Sequence, residues 1–90
     1  SRNFLLKQNE LNDVEKISKS FLSLKNKIKK KKNINKFLQK SKRNFERFFN
    51  IKIEYLENRN IKNLSISNEY NGSKIFLGYY YNGVRFIDNF

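Results

Sequence analysis

The chain has 90 residues, of which 20 are Lys or Arg and eight are Asp or Glu, giving a net charge of +12. It contains no Cys and no His, which excludes disulfides and thiolate metal sites and removes the commonest general base. No apolar run has the length of a membrane span. We expect one small domain over residues 1–90, complete or a fragment of a longer chain, with no cofactor.

The composition is biased towards residues with AT-rich codons. Ala, Thr, Pro, Trp and Met are absent, while Lys, Asn, Ile, Phe and Tyr are abundant. This indicates an AT-rich genome, that of an organelle, an endosymbiont, or a parasitic or ciliate-like lineage. Codon bias can supply Lys but does not explain its placement. Residues 1–50 carry a net charge of +11, and residues 51–90 carry only +1. The segregated charge predicts a surface held against a polyanion.

The first helix is predicted within a basic helical half that spans residues 9–50. Before it, the apolar patch Phe4-Leu5-Leu6 is a short strand, a tail on the core or a frayed end. Asn12 or Asp13 is the expected N-cap. An apolar stripe with alternating spacings of three and four residues then predicts about four helical turns; it comprises Val14, Ile17, Phe21, Leu24 and Ile28.

The run Lys29–Lys32 should weaken the helix, and Asn33 and Asn35 are good caps, so we expect a break there. One continuous helix is the alternative. A second helix is predicted over Ile34–Phe49. At 100° per residue its cations fall in one narrow wedge, formed by Lys36, Lys40, Arg43 and Arg47. The expected sheet-covering side comprises Ile34, Leu38, Phe45, Phe48 and Phe49, with Phe37 at its edge.

The sheet half, residues 51–90, has the period of two that is typical of strands. Ile51, Ile53 and Tyr55 alternate with polar residues, and Glu57–Asn60 is expected to be a turn. Further strands are predicted over Ile61–Ser67, which is the weaker one, and over Lys74–Tyr81 and Val84–Phe90. The dipeptide Asn82-Gly83 predicts a type I′ hairpin turn between the last two. The fold class is therefore α+β: two basic amphipathic helices followed by a three- to four-stranded antiparallel β-meander.

The charge pattern favours RNA as the partner, because basic side chains on one face bind phosphates. Phosphate contacts alone do not separate RNA from DNA. Exposed aromatics at Tyr79–Tyr81, Phe76 and Phe86 either stack on bases or fill the core. The predicted RNA-binding residues are Lys27, Lys29, Lys30, Lys31, Lys32, Lys36, Lys40, Lys42, Arg43 and Arg47.

In composition and charge layout the chain resembles ribosomal proteins, which are commonly small and basic. The resemblance implies a structural protein, not an enzyme, that contacts rRNA and neighbouring proteins of a large assembly. It also implies no small-molecule substrate. With the AT-rich bias, the location expected is the matrix of a mitochondrion or another organelle, with the cytoplasm as the alternative.

Two other functions are compatible with the pattern. Two helices before a basic antiparallel meander resemble RelE/ParE-type toxins, some of which cut mRNA on the ribosome; the candidate residues here are Lys74, Tyr79–Tyr81 and Arg85. The other is an interaction subunit of a respiratory complex in an organelle. The sequence has no phosphate-binding glycine loop, no metal-ligand cluster and no Ser–His–Asp set.

Overall fold

The computed structural model describes residues 7–90. Its elements are α1 (Gln8–Ile28), α2 (Ile34–Phe49), β1 (Lys52–Asn60), β2 (Ser73–Tyr81) and β3 (Val84–Asn89). The strands form one antiparallel sheet in the order β1-β2-β3. The predicted fold class is confirmed, with three strands. The prediction for Phe4-Leu5-Leu6 lies outside the described residues.

The two helices lie side by side as one layer against one face of the sheet. Helix α2 lies along β1, and its Glu46 carboxylate accepts a hydrogen bond from the Ile53 backbone N–H at 2.9 Å. Helix α1 lies along β2 and near the end of β3. The Tyr81 hydroxyl donates to Asp13 at 2.9 Å, and Lys25 Nζ donates to the carbonyls of Ser73 at 3.4 Å and of Phe90, the residue after β3, at 3.3 Å. The sheet face away from the helices is left uncovered by either of them.

The core lies between these layers. The predicted stripe of α1 is buried in full, from Val14 to Ile28. Four aromatic rings cross the core in succession: Phe45 contacts Phe21 at 4.8 Å, Phe21 contacts Tyr79 at 5.4 Å, and Tyr79 stacks on Phe86 at 5.3 Å. Tyr79 is only 3% exposed, so it belongs to the core and is not a base-stacking platform. Burial raises the pKa of its hydroxyl.

The predicted break between the helices is confirmed, and a single continuous helix is excluded. Helix α1 ends at Ile28, and α2 begins at Ile34 behind an Asn33 cap, whose side chain accepts from the Lys36 backbone N–H at 3.1 Å. At its other end α2 stops at Phe49, and the next residue, Asn50, caps it in the left-handed conformation with φ 53°.

The start of α1 was predicted too late. Neither Asn12 nor Asp13 is the cap, because the helix already begins at Gln8. The Lys7 backbone N–H donates to the Glu10 carboxylate at 2.9 Å, which satisfies a donor at the helix start. The Asn82 side chain also donates to Glu10, so the first turn of α1 is tied to the β2–β3 turn.

The predicted strand Ile61–Ser67 is wrong, since this segment makes only one isolated bridge, between Arg59 and Ile66. Side-chain turns replace strand pairing: Asn60 accepts from the Lys62 backbone N–H at 2.8 Å, and Leu64 has a φ of 61°. The predicted turn Glu57–Asn60 is instead the end of β1, where these residues pair with Ser73–Phe76.

Tyr55 was predicted to share a face with Ile53, and this is also wrong. The register shifts between these two residues, so a bulge reverses the alternation. Leu56 then points to the core, and Tyr55 lies on the uncovered face beside Gly78. The Asn82-Gly83 turn is confirmed, because both residues have positive φ, 49° and 78°.

No helix among residues 7–90 combines the length and the apolarity that a membrane crossing requires.

Gly78 allows Tyr55 to lie flat against β2, and substituting it should be costly. A Cβ at position 78 would lie 2.5 Å from Cε2 of Tyr55. We expect Gly78→Ala to lower the free energy of unfolding by about 1–3 kcal/mol, because the ring must be displaced. Chemical denaturation measures this. In a Tyr55→Ala background the same change should cost much less; equal costs in both backgrounds would contradict the steric explanation.

The Glu10 contacts predict a pH dependence. Hydrogen bonds from the Lys7 backbone and from Asn82 hold the pKa of Glu10 below its ordinary value of 4.5. A lowered carboxyl pKa stabilises the folded state above the unfolded pKa, and this stabilisation is lost as the pH falls through the folded pKa. Glu10→Gln should therefore reduce stability at neutral pH and converge with the original protein in acid.

The matched control for this experiment is Glu15→Gln. Glu15 is an exposed acid of the same helix whose ion pair with Lys19 is open to solvent. Urea midpoints measured from pH 2.5 to 7 should show convergence for the Glu10 variant and little difference for the Glu15 variant. A stability difference at Glu10 that is constant with pH would mean that its charge has no part in the effect.

Candidate functional site

The predicted cations lie at the surface, and all four cations of the α2 wedge are exposed to solvent, as the helical spacing predicts. Every member of the predicted set is exposed except Lys42, which is half-buried. Two are held over aromatic rings: Lys31 Nζ lies 4.7 Å from the ring centre of Phe37, and Lys29 Nζ lies 5.8 Å from that of Tyr70. The exposure of these side chains is confirmed, while their role as phosphate contacts stays a prediction.

Phe48 does not cover the sheet, contrary to the sequence-based prediction. It is 82% exposed, whereas Phe45 and Phe49 pack against the core. The physical reason is its position in the last turn of α2 and at the margin of the apolar arc, where its neighbour Phe49 takes the place against the core. An exposed ring of this size is unusual beside an otherwise charged helix surface.

A groove opens between the two helices next to Phe48. It has a volume of about 620 Å³, and all of its lining residues belong to α1 or α2. Of the predicted cations, only Lys27 and Arg47 take part in it. The full lining comprises Ser20, Ser23, Lys27, Asn44, Phe45, Arg47, Phe48 and Phe49. We call this the interhelix groove.

A second depression of about 360 Å³ lies on the other side of Phe48 and Phe49. It is formed where the start of α1, the end of α2 and the β2–β3 turn meet. Its remaining lining residues are Asp13, Lys16, Ile17, Asn50, Tyr81 and Asn82. The hydrogen bond from Tyr81 to Asp13 closes one wall, and burial raises the pKa of the Tyr81 hydroxyl.

The ring of Phe48 is held in place between these two depressions. It packs edge-on against Phe49 at 4.9 Å with an interplanar angle of 85°, and Phe49 packs in the same way against Phe45 at 5.5 Å. Phe45 in turn contacts the buried ring of Phe21. The exposed ring is thus connected to the core by a series of aromatic contacts.

The residues singled out for a toxin-like site are only partly brought together, since Arg85 lies opposite Tyr80 in the sheet register. Tyr79 is in the core, whereas Tyr80 is its neighbour on the opposite sheet face. Arg85 Nη2 is paired with Glu54 at 2.8 Å, and this hydrogen-bonded contact raises the pKa of Arg85. Within residues 7–90, no group of three or more Cys, Asp or Glu side chains could hold a metal ion.

The interhelix groove was missed in the sequence, although part of its signal was available. Ser20, Ser23 and Lys27 recur at helical spacing on the flank of α1. What the pattern cannot supply is the relative rotation of the helices, which sets these residues opposite Asn44 and Arg47 of α2. Phe48 was counted with the core because its angular position alone resembles that of a buried residue.

Comparison with known proteins identifies an enzyme family. The family model described as pantoate-beta-alanine ligase matches residues 1–90. No curated protein and no solved structure matched the chain.

The match overturns the functional predictions made from charge. The prediction of a ribosomal, rRNA-binding protein is wrong, and so are the predictions of a non-enzyme and of no small-molecule substrate. The two alternatives, a toxin and a subunit of a respiratory complex, are also wrong. The expected partners, RNA and the neighbouring proteins of a ribonucleoprotein, are wrong as well. The physical reason is that a cationic surface reports the sign of the partner's charge and not its chemical class.

The match extends over the whole of the sequence. The α+β fold is built from the same residues, with its paired helices and antiparallel sheet between Gln8 and Asn89. The chain therefore belongs to the pantoate-beta-alanine ligase family.

Proposed function

We propose that the protein takes part in the ATP-dependent formation of an amide bond between pantoate and β-alanine. The single observation that carries this proposal is the family match over residues 1–90. The substrates that the family implies are pantoate, β-alanine and ATP.

The reaction requires activation of a carboxylate. A carboxylate oxygen of pantoate attacks a phosphorus atom of ATP, and the remaining phosphate portion of ATP leaves. The activated oxygen is then a good leaving group. The uncharged amine of β-alanine attacks the carbonyl carbon, the new C–N bond forms, and the C–O bond breaks. The proton that the amine loses passes to a base or to solvent.

The electrostatics of the chain support substrates of this kind. Pantoate and β-alanine each carry a carboxylate, and ATP carries a polyphosphate. A net charge of +12 creates a positive potential that attracts the two anions, pantoate and ATP, and raises their local concentration, whereas β-alanine is a zwitterion without net charge. The cations that produce this potential are concentrated on α1, α2 and the segment between them, where the interhelix groove also lies.

The organelle matrix remains our proposed location, with the cytoplasm as the alternative; with the ribosomal resemblance gone, the codon bias is its remaining support. An AT-rich genome supplies the same bias to an enzyme as to a ribosomal protein.

An assay of amide formation tests the proposed function. Purified protein should join β-alanine to pantoate, and omission of ATP, pantoate or β-alanine should each abolish the product, which mass spectrometry detects. Raising the salt concentration should increase the KM for ATP more than it lowers kcat, since screening weakens attraction between separated charges. Protein that is folded by circular dichroism and forms no ATP-dependent amide would sink the proposal.

A matched pair of variants checks the electrostatic contribution. Reversing Lys36, Lys40 and Arg43 to Glu should raise the KM for ATP and weaken its salt dependence, because the attractive potential falls. The triple change to Gln should have about half that effect. A KM that is unchanged in both variants would show that this row of cations has no part in attracting the substrate.

A further inference from the structure

We propose that the outer helix surface, the side of α1 and α2 that faces away from the sheet, binds an anionic lipid membrane with the ring of Phe48 inserted among the headgroups. The inference rests on the placement of charge and on one exposed ring. It does not depend on the proposed ligase reaction.

The first argument is the cationic character of the outer helix surface. Many positions that point away from the buried stripe of each helix carry basic side chains. All of these side chains are exposed; they are Lys16, Lys19, Lys27 and Lys30 on α1 and Lys36, Lys40, Arg43 and Arg47 on α2. Because the two helices lie side by side, the cations form a broad face, which suits a planar partner.

The second argument is that few of these charges are neutralised by acids of the chain. Among residues 7–90, the two arginines of the sheet, Arg59 and Arg85, are both paired with glutamates of β1. On the outer helix surface, by contrast, the ion pair in this part of the chain is that of Lys19 with Glu15. The acid of α2, Glu46, is engaged by the backbone of β1. The outer helix surface therefore attracts a negatively charged membrane.

The third argument is Phe48, which distinguishes a membrane from other anionic partners. Its ring is 82% exposed and borders both depressions between the helices. Lys16, Lys27 and Arg47 line the same depressions, so cations surround the ring. At the interface of a bilayer such a ring leaves water while the neighbouring cations meet lipid phosphates.

The packing of the helices on the sheet limits the depth of insertion. Ile17, Phe21 and Leu38 are buried in the core, so the apolar sides of the helices are not free to enter a bilayer while the fold is intact. Insertion therefore involves the ring of Phe48, and charge supplies most of the attraction. Such binding is reversible and sensitive to salt.

Co-sedimentation with lipid vesicles tests the attraction. The whole protein should bind phosphatidylcholine vesicles that contain about 30 mol% phosphatidylserine, should bind pure phosphatidylcholine far less, and should be released by salt. Lys30→Gln and Lys40→Gln should each weaken binding about fivefold. The matched controls Lys52→Gln and Lys74→Gln remove exposed charges of the sheet and should change binding little. Equal effects of the two pairs, or equal binding to both kinds of vesicle, would contradict the proposal.

The absence of Trp from the sequence allows a direct test of insertion. The fluorescence of the Phe48→Trp variant should shift to the blue on anionic vesicles and should be quenched by lipids with brominated acyl chains. The matched control is Leu22→Trp, because Leu22 is 50% exposed but lines a depression beside Ile87 of β3. The fluorescence of this control should not change when vesicles are added.

Removing the ring tests its contribution to affinity. Phe48→Ser should weaken binding to anionic vesicles roughly tenfold, because the hydrophobic contribution of the ring is lost. If the protein binds these vesicles but the indole of the Phe48→Trp variant stays in water, the surface attracts charge alone and the proposal is wrong. A blue shift of the same size with heparin, a soluble polyanion, would also overturn it. Failure of amide formation leaves these results unaffected, so the two proposals are tested separately.

Discussion

The contacts of Phe21 are the constraint on which the rest of the structure depends. This one ring from α1 touches Phe45 of α2 and Tyr79 of β2, and Tyr79 stacks on Phe86 of β3. Both helices and two strands are thereby joined through a side chain that is 1% exposed. Truncating such a core Phe typically costs about 3–5 kcal/mol, a large part of the stability of a small domain. Because the sequence has no Trp and no Met, Phe and Tyr supply its largest core side chains beside Ile and Leu.

The same aromatic series extends to the surface and connects the core to the interhelix groove. Phe45 contacts Phe49, and Phe49 contacts Phe48, so the exposed ring packs against rings that reach the core. The start of α1 is fixed independently, through Asp13 and Tyr81.

Surface charge and family membership give different kinds of information about this protein. The segregation of Lys and Arg is a physical fact of the chain, and it favours negatively charged partners of any size. rRNA and small carboxylates or phosphates both satisfy that condition. Codon bias further reduces what a Lys count can say. The functional assignment therefore needed sequence similarity to a family, because the family match indicates a reaction and the charge pattern does not.

The sequence by itself determined the elements that local rules govern. The α1 stripe, the Asn33 cap, the cationic wedge of α2 and the Asn82-Gly83 turn follow from periodicity and from backbone preferences within a few residues. Tertiary structure decided the rest. The bulge after Ile53, the pairing that extends β1 and the exposure of Phe48 depend on partners distant in the chain. The groove in particular required the two helices to be set against the sheet, because only that packing fixes which of their flanks face each other.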